Sequence, residues 1–263
     1  MRHLMLFVGM GTALVAAAAC RATPASPLTA AAARNDTDAV RRLLAKGHPP
    51  DEDGDALTPL MWAARNKGID AMKVLLDAGA AVDRRDHRNG WTALQHAIHT
   101  RAVDAVRLLL ERGADPNASD HPGALTPLLM AALEANPAVL KLLLAYGADP
   151  RVQGEWGDTP LTRAVSGGAL ADIDRGLFGG CHPATVRALL DHDPTLRVPD
   201  TAAGRQALMW ARLHTLQAST REMVHGLATG TSDGAASRSG HGDRCREVVD
   251  LVRDGVAPTR AQR

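Results

Sequence analysis

The side chains best equipped for chemistry are three cysteines, Cys20, Cys181 and Cys245, and the histidines beside two of them. In an oxidising compartment two thiols pair, whereas thiols with imidazoles can hold zinc. Cys181-His182 with His241 and Cys245 would supply a two-cysteine, two-histidine set. Against it, adjacent Cys-His is not a usual pair of metal ligands, and an oxidising compartment competes for the thiols. No C-x-x-C pair marks a redox centre, and neither a G-x-x-x-x-G-K-[ST] phosphate loop nor an H-E-x-x-H helix is present. Gly176-Leu177-Phe178-Gly179-Gly180 is glycine-rich but follows no strand pattern, and Asp172, Asp174 and Arg175 beside it have nothing to fix their geometry. The expectation is a chain with no catalytic residues, no metal and no cofactor; an enzyme or a metal/thiol site on this part of the chain is the alternative of another class.

Composition points away from several partners. Thirty Lys and Arg against 29 Asp and Glu leave a net charge of +1 over 263 residues, without the basic excess that nucleic acid or an anionic membrane surface requires. No nucleic acid and no small-molecule substrate is expected. Hydrophobic residues make up 45% but aromatic ones only 3%, so the core is aliphatic, rich in Ala and Leu, and suits closely packed helices.

Residues 1–19 read as an address. Met1-Arg2-His3 is basic, Leu4 to Ala19 is uncharged and apolar, and Ala17-Ala18-Ala19 closes the run before Cys20. Basic, apolar, then small residues is the order of a secretory signal peptide, and the run is shorter than the roughly 20 residues of a spanning helix. A small residue directly before Cys20 resembles the lipobox of bacterial lipoproteins, with Ala17 standing where that family usually has Leu. The resemblance implies lipidation at Cys20, a short linker over 20–25, and a place in the periplasm or on the outer membrane, since Arg21 follows the cysteine rather than Asp. Cys181 and Cys245 then remain as an even pair.

What must position any functional side chain is a repeat. Thr58-Pro59-Leu60, Thr92-Ala93-Leu94, Thr126-Pro127-Leu128 and Thr159-Pro160-Leu161 are spaced by 34, 34 and 33 residues. Small residues follow at a fixed offset (Ala63-Ala64, Ala97, Ala131-Ala132, Ala164), then Leu75-Leu76, Leu109-Leu110 and Leu143-Leu144, then Gly79, Gly113 and Gly147. Thr can cap a helix, Pro suits its first turn, small residues admit a second helix, and Gly ends that one in the left-handed conformation. A single such unit cannot bury its apolar face, so units stack. Upstream, Ser26-Pro27-Leu28 and Leu43-Leu44 repeat the pattern with a polar outer face fit for a cap. Downstream, a fifth unit carries an insertion over about 167–181. A sixth opens at Gln206-Ala207-Leu208 and closes with Val248, Leu251 and Gly255 after an insertion over about 217–243.

The pattern resembles the ankyrin repeat, whose motif runs T-P-L-H-x-A, then paired Leu, then G-A. The resemblance implies an all-α solenoid of about six helix-turn-helix units with finger loops over 26–257, leaving a tail at 258–263. The family's His after T-P-L is replaced by Met61, Gln95, Leu129, Thr162 and Met209, which should weaken hydrogen bonding between units. It also implies a protein-binding module, with contacts at the fingers (Arg88, Asn89, Trp91, Leu125, Glu155, Trp156, Asp158) and near the ends of the first helices (Arg65, Asn66, His99, Glu134). Trp91 and Trp156 stand out in a chain with so few aromatics, because Trp anchors interfaces. Trp62 and Trp210 are expected in the core. Cys181 and Cys245 fall just before the second helices of adjacent units, each closing one insertion, so a structural disulfide between them is expected. The functional expectation is a binding module in the bacterial cell envelope, acting as scaffold, protective partner or inhibitor of another envelope protein. A toxin-immunity protein occluding an incoming effector is the alternative.

Overall fold

The computed structural model describes residues 26–52, 57–119, 121, 123–166, 181–213, 215 and 240–254. Five short first helices, α1 (Pro27–Ala33), α3 (Pro59–Arg65), α5 (Ala93–His99), α7 (Pro127–Leu133) and α9 (Pro160–Ser166), form one row. Second helices α2 (Thr37–Ala45), α4 (Ile69–Asp77), α6 (Val103–Glu111), α8 (Pro137–Ala145) and α10 (Pro183–His192) form the other. The sixth unit adds α11 (residues 202–213) and α12 (Gly240–Asp254), with α12 packed on α10.

The caps explain why the first helices begin where they do. The hydroxyls of Ser26, Thr58, Thr92, Thr126 and Thr159 accept hydrogen bonds from the N3 amides of Thr29, Met61, Gln95, Leu129 and Thr162 at 3.0–3.5 Å. Second helices end at Gly47, Gly79, Gly113 and Gly147, with φ between +85° and +89°. There the next amide reaches back to a leucine carbonyl, as Ala80 N does to Leu75 O at 3.0 Å, satisfying a terminal acceptor. The tight turns between paired helices put Asn35, Lys67, Arg101 and Ala135 in the left-handed region, φ +52° to +62°.

Stacking buries the leucines and alanines of the motif in one continuous core, including Leu60, Ala63, Leu75, Leu94, Ala97, Leu109, Leu128, Leu143 and Leu189. Trp62 is buried with them, and Trp210 is half-buried. Met61, Gln95, Leu129 and Thr162 are closed off by the following unit, whereas Met209, at the equivalent place where the array ends, is 55% exposed.

Polar ties run between units as well. Gln95, standing where the resembled family has His, accepts from Thr92 N at 3.0 Å and donates from Nε2 to Leu125 O in the next unit at 2.6 Å. The link between units is therefore kept here, because an amide carries both a donor and an acceptor. In the loops after the second helices, the side chains of Asp51, Asp83 and Asn117 accept from the amides of Ala81, Asp115 and Asp149. These three contacts repeat one residue pattern along the array.

Two boundaries differ from the sequence expectation. The first helix of the sixth unit starts a turn before Gln206, because Thr201 Oγ1 accepts from Gly204 N at 3.1 Å and takes the cap that a glutamine cannot make. Cys245 lies inside α12 rather than before it, since the helix begins at Gly240. The insertion therefore ends sooner than 243. Residues 167–180 and 216–239, which hold most of both insertions, lie outside the described residues.

Candidate partner-binding surface

The finger before α5 is built around Asp86. Its amide donates to Trp91 O at 2.8 Å, and its Oδ1 accepts from Arg88 N at 2.8 Å and Asn89 N at 2.6 Å. Its Oδ2 meets His96 Nε2 at 2.8 Å, fastening the finger to the first helix beneath. Burial works to raise the Asp86 carboxyl, but the hydrogen bonds from His96, Asn89 and Arg88 outweigh it and hold the group below the usual carboxylate range. The Arg85 guanidinium donates to Gly90 O at 3.2 Å and to Ser119 O at 2.8 Å, tying this finger to the next. Arg88 and Asn89 therefore present exposed side chains from a backbone already fixed.

Trp91 folds back from the finger and is half-buried. Its ring centroid lies 5.5 Å from those of both His96 and His99. His99 Nδ1 is 3.4 Å from Glu134 Oε1, and Arg101 approaches the same carboxylate at 3.4 Å while donating to Glu134 O at 2.7 Å. The His99 hydrogen bond is the largest influence on Glu134; with Arg101 it overrides burial and keeps this carboxyl below its ordinary range. Trp91, His99 and Glu134 are thus brought together across two units.

The finger before α9 has the same design with a different tip. Gly154 N donates to Asp158 O at 2.8 Å and Gly157 N to Gly154 O at 3.0 Å, while the Asp158 carboxylate takes the Arg163 Nε. A Cβ on Gly154 would stand 2.6 Å from Asp158 Oδ1, so any side chain there would displace the carboxylate from its present place. Thr201 Oγ1 donates to Gly157 O at 3.3 Å and props the finger on the sixth unit. On this braced support Trp156 is 74% exposed, with exposed Glu155 beside it.

The other sequence candidates divide between the surface and its supports. Asp158 is buried and serves as the base of its finger, because its position is the one from which Trp91 also turns inward; it does not face outward as a contact residue. Leu125 is half-buried and packs against the core. Asn66 donates from Nδ2 to Ala33 O of the preceding unit at 2.8 Å, and Arg65 lies 6.0 Å from the Trp62 ring. The sequence reading missed His96. The spacing of Asp86 and His96 within one unit was the available signal.

The Sγ atoms of Cys181 and Cys245 lie 2.12 Å apart, and both residues are buried. Among the described residues no cluster of three or more His, Cys, Asp or Glu side chains could hold a metal ion. Gly230 to Gly234 spells the letters of the G-x-S-x-G nucleophile motif, but this run lies outside the described residues and no strand leads into it among the described ones. Cys20 and the segment 1–19 also lie outside the described residues. Among the described residues no helix is long and apolar enough to cross a membrane.

Comparison with known proteins adds the lineage. A family model described as ankyrin repeats (3 copies) matches residues 28–120 and 128–232, and a second, ankyrin repeats (many copies), matches residues 97–144. No curated protein matches the chain.

Proposed function

The chain belongs to the ankyrin-repeat family, a family of protein–protein interaction modules, and from that premise we propose that it is an exported, lipid-anchored binding protein of the bacterial cell envelope. In this reading the fingers and the first-helix ends hold a protein partner as scaffold, protective partner or inhibitor. The observation that carries the contact surface is Trp156, 74% exposed on a finger closed by Gly154, Asp158 and Arg163. An exposed indole costs a monomer apolar hydration, and a rigid support removes the ordering cost of docking it. Arg88 and Asn89 on their own fixed finger supply the polar rim that steers encounter and sets register.

The export part of the proposal rests on Ala17-Ala18-Ala19-Cys20 after an apolar run. With only residues 21–25 between Cys20 and the first cap at Ser26, a lipid anchor would keep the array close to the membrane, suiting a partner already at that surface.

The experiment is affinity capture from envelope extract with the full chain and its Trp156→Ala variant, read by mass spectrometry. A single near-stoichiometric partner, lost with the variant, is expected; equal capture by both would remove Trp156 from the interface. A palmitate label on the wild type and not on Cys20→Ser tests the anchor separately.

A further inference from the structure

No unit follows α11 among the described residues, and the outer face of that helix is open. Met209 is 55% exposed and Leu213 38%, one turn apart on the same side. They are two of the four large hydrophobic side chains that stand exposed among the described residues. A terminal repeat needs a polar outer face to stay soluble, so an apolar stripe there is out of place on a free end.

Arg212, on the same face, narrows what can cover these two. In the preceding units its place is held by Ala64, Ile98, Ala132 and Val165, all fully buried under the unit that follows. An ordinary seventh repeat stacked here would strand the Arg212 charge beneath it. Arg212 is exposed and pairs with no carboxylate among the described residues. Its cover must therefore bring an apolar surface with a carboxylate beside it. The chain carries that combination on this very face. Asp200 lies at the start of α11, where its Oδ1 accepts from Arg205 Nη1 at 2.6 Å, and its Oδ2 makes no bond among the described residues. Both side chains are exposed, and Arg205 stands one turn before Met209 on the same stripe.

We propose that the outer face of α11 is an interface with a second copy of this chain, packed about a two-fold axis at Met209. A two-fold interface uses the same patch on both copies, so the patch must be complementary to itself. The axis runs the two α11 helices antiparallel. A residue three places after Met209 then lies level with one three places before it on the other copy. Arg212 of each copy thus comes level with the Asp200–Arg205 pair of the other, and Asp200 accepts one guanidinium on each oxygen. Met209 and Leu213 of the two copies cover one another between these two charged contacts. A single helix face from each side is a small contact, so the dimer forms in the micromolar range.

The test is sedimentation velocity of the oxidised full chain from roughly 1 to 200 μM. A monomer–dimer equilibrium is expected, weakened at least tenfold in Met209→Lys, in Asp200→Arg and in Arg212→Asp. Far-UV circular dichroism checks that these surface variants are folded. Mixing Asp200→Arg with Arg212→Asp places opposite charges at both contacts, so the mixture must associate more tightly than either variant alone. A change that acted only on the fold of one copy would not be restored in this way. A monomeric wild type, a dimer that Met209→Lys leaves unchanged, or a mixture no tighter than its components would each overturn the proposal. A monomer in which the Met209 methyl resonance is shielded from a soluble paramagnetic probe would give the face to the chain's own residues and overturn it too. Growth beyond the dimer would mean head-to-tail stacking in place of the two-fold and would equally sink it.

Discussion

His96 Nε2 and Asp86 Oδ2 lie 2.8 Å apart with both side chains shielded from water, and this single contact joins a finger loop to the helix that follows it. The finger tip, with Arg88 and Asn89, is held through the other oxygen of the same carboxylate. One buried group therefore fixes both the fold and the display of the surface. Asp86→Ala should lose about 3 kcal/mol of stability, since removing one member of a buried pair strands the other. Asp86→Asn, still an acceptor, should lose less. Urea denaturation of the three proteins at neutral pH reads this ordering, and equal stability would mean that the finger closes without its carboxylate.

Acid should unfold the array through identifiable groups. Asp86 and Glu134 both have folded-state acidities shifted below the ordinary range. A depressed carboxylate contributes stability that is fully present above its unfolded value of about 4 and is lost as pH falls through the folded value. The denaturation midpoint is therefore expected to hold steady above about pH 5 and to drop below it. Glu134→Gln, which cannot ionise, should flatten that drop. An unchanged slope in Glu134→Gln would remove the His99–Glu134 contact as a contributor.

Ala135 offers a stabilising substitution. Its φ of +52° is strained for a residue with a Cβ, and Asn35 and Arg101 in the same series have compensations that it lacks. Asn35, at the same turn three helix pairs earlier, accepts from Ala71 N at 2.9 Å, and Arg101 donates to Glu134 O. Ala135→Gly should gain up to about 1 kcal/mol, the relief of strain exceeding the added freedom of the unfolded chain. A melting temperature lowered by the substitution would contradict this.

The sixth unit depends on its cross-link. α12 reaches α10 only after the long stretch following α11, and the cysteines are 64 residues apart in sequence. A loop of that length contributes about 4 kcal/mol in the chain-entropy picture. Cys181→Ser with Cys245→Ser is expected to destabilise the protein by this order, with exchange protection lost first in α12. Peptide mapping under non-reducing conditions must show the two cysteines in one linked fragment; two free thiols would falsify the bond.

The repeat was legible because its caps and glycines are single-residue requirements. Thr58, Thr92 and Thr126 start helices in the structure at the positions that spacing alone assigns. The surface was less legible, because a finger residue's direction depends on which neighbour the loop closes upon. Asp158 and Trp91 hold equivalent positions and both turn inward, one to Arg163 and one against two imidazoles, while Trp156, two residues before Asp158, stays in water. Periodicity carries no information on that choice. The sixth unit was misjudged at its start because its cap is Thr201, outside the repeat register, and at Cys245 because α12 extends a turn beyond its homologous helices.

Trp156 separates folding from binding most cleanly. It makes none of the bonds that close its finger; those belong to Gly154, Gly157, Asp158, Arg163 and Thr201. Trp156→Ala should therefore change stability by no more than about 0.5 kcal/mol, the ordinary effect of a surface substitution. Trp91→Ala, by contrast, removes a ring packed on His96 and His99 and should cost about 2 kcal/mol or more. Comparing the two by thermal denaturation alongside partner capture distinguishes the roles. A stable Trp156→Ala that no longer captures the partner assigns the indole to the interface, whereas a destabilised one would mean that the finger leans on its own tip.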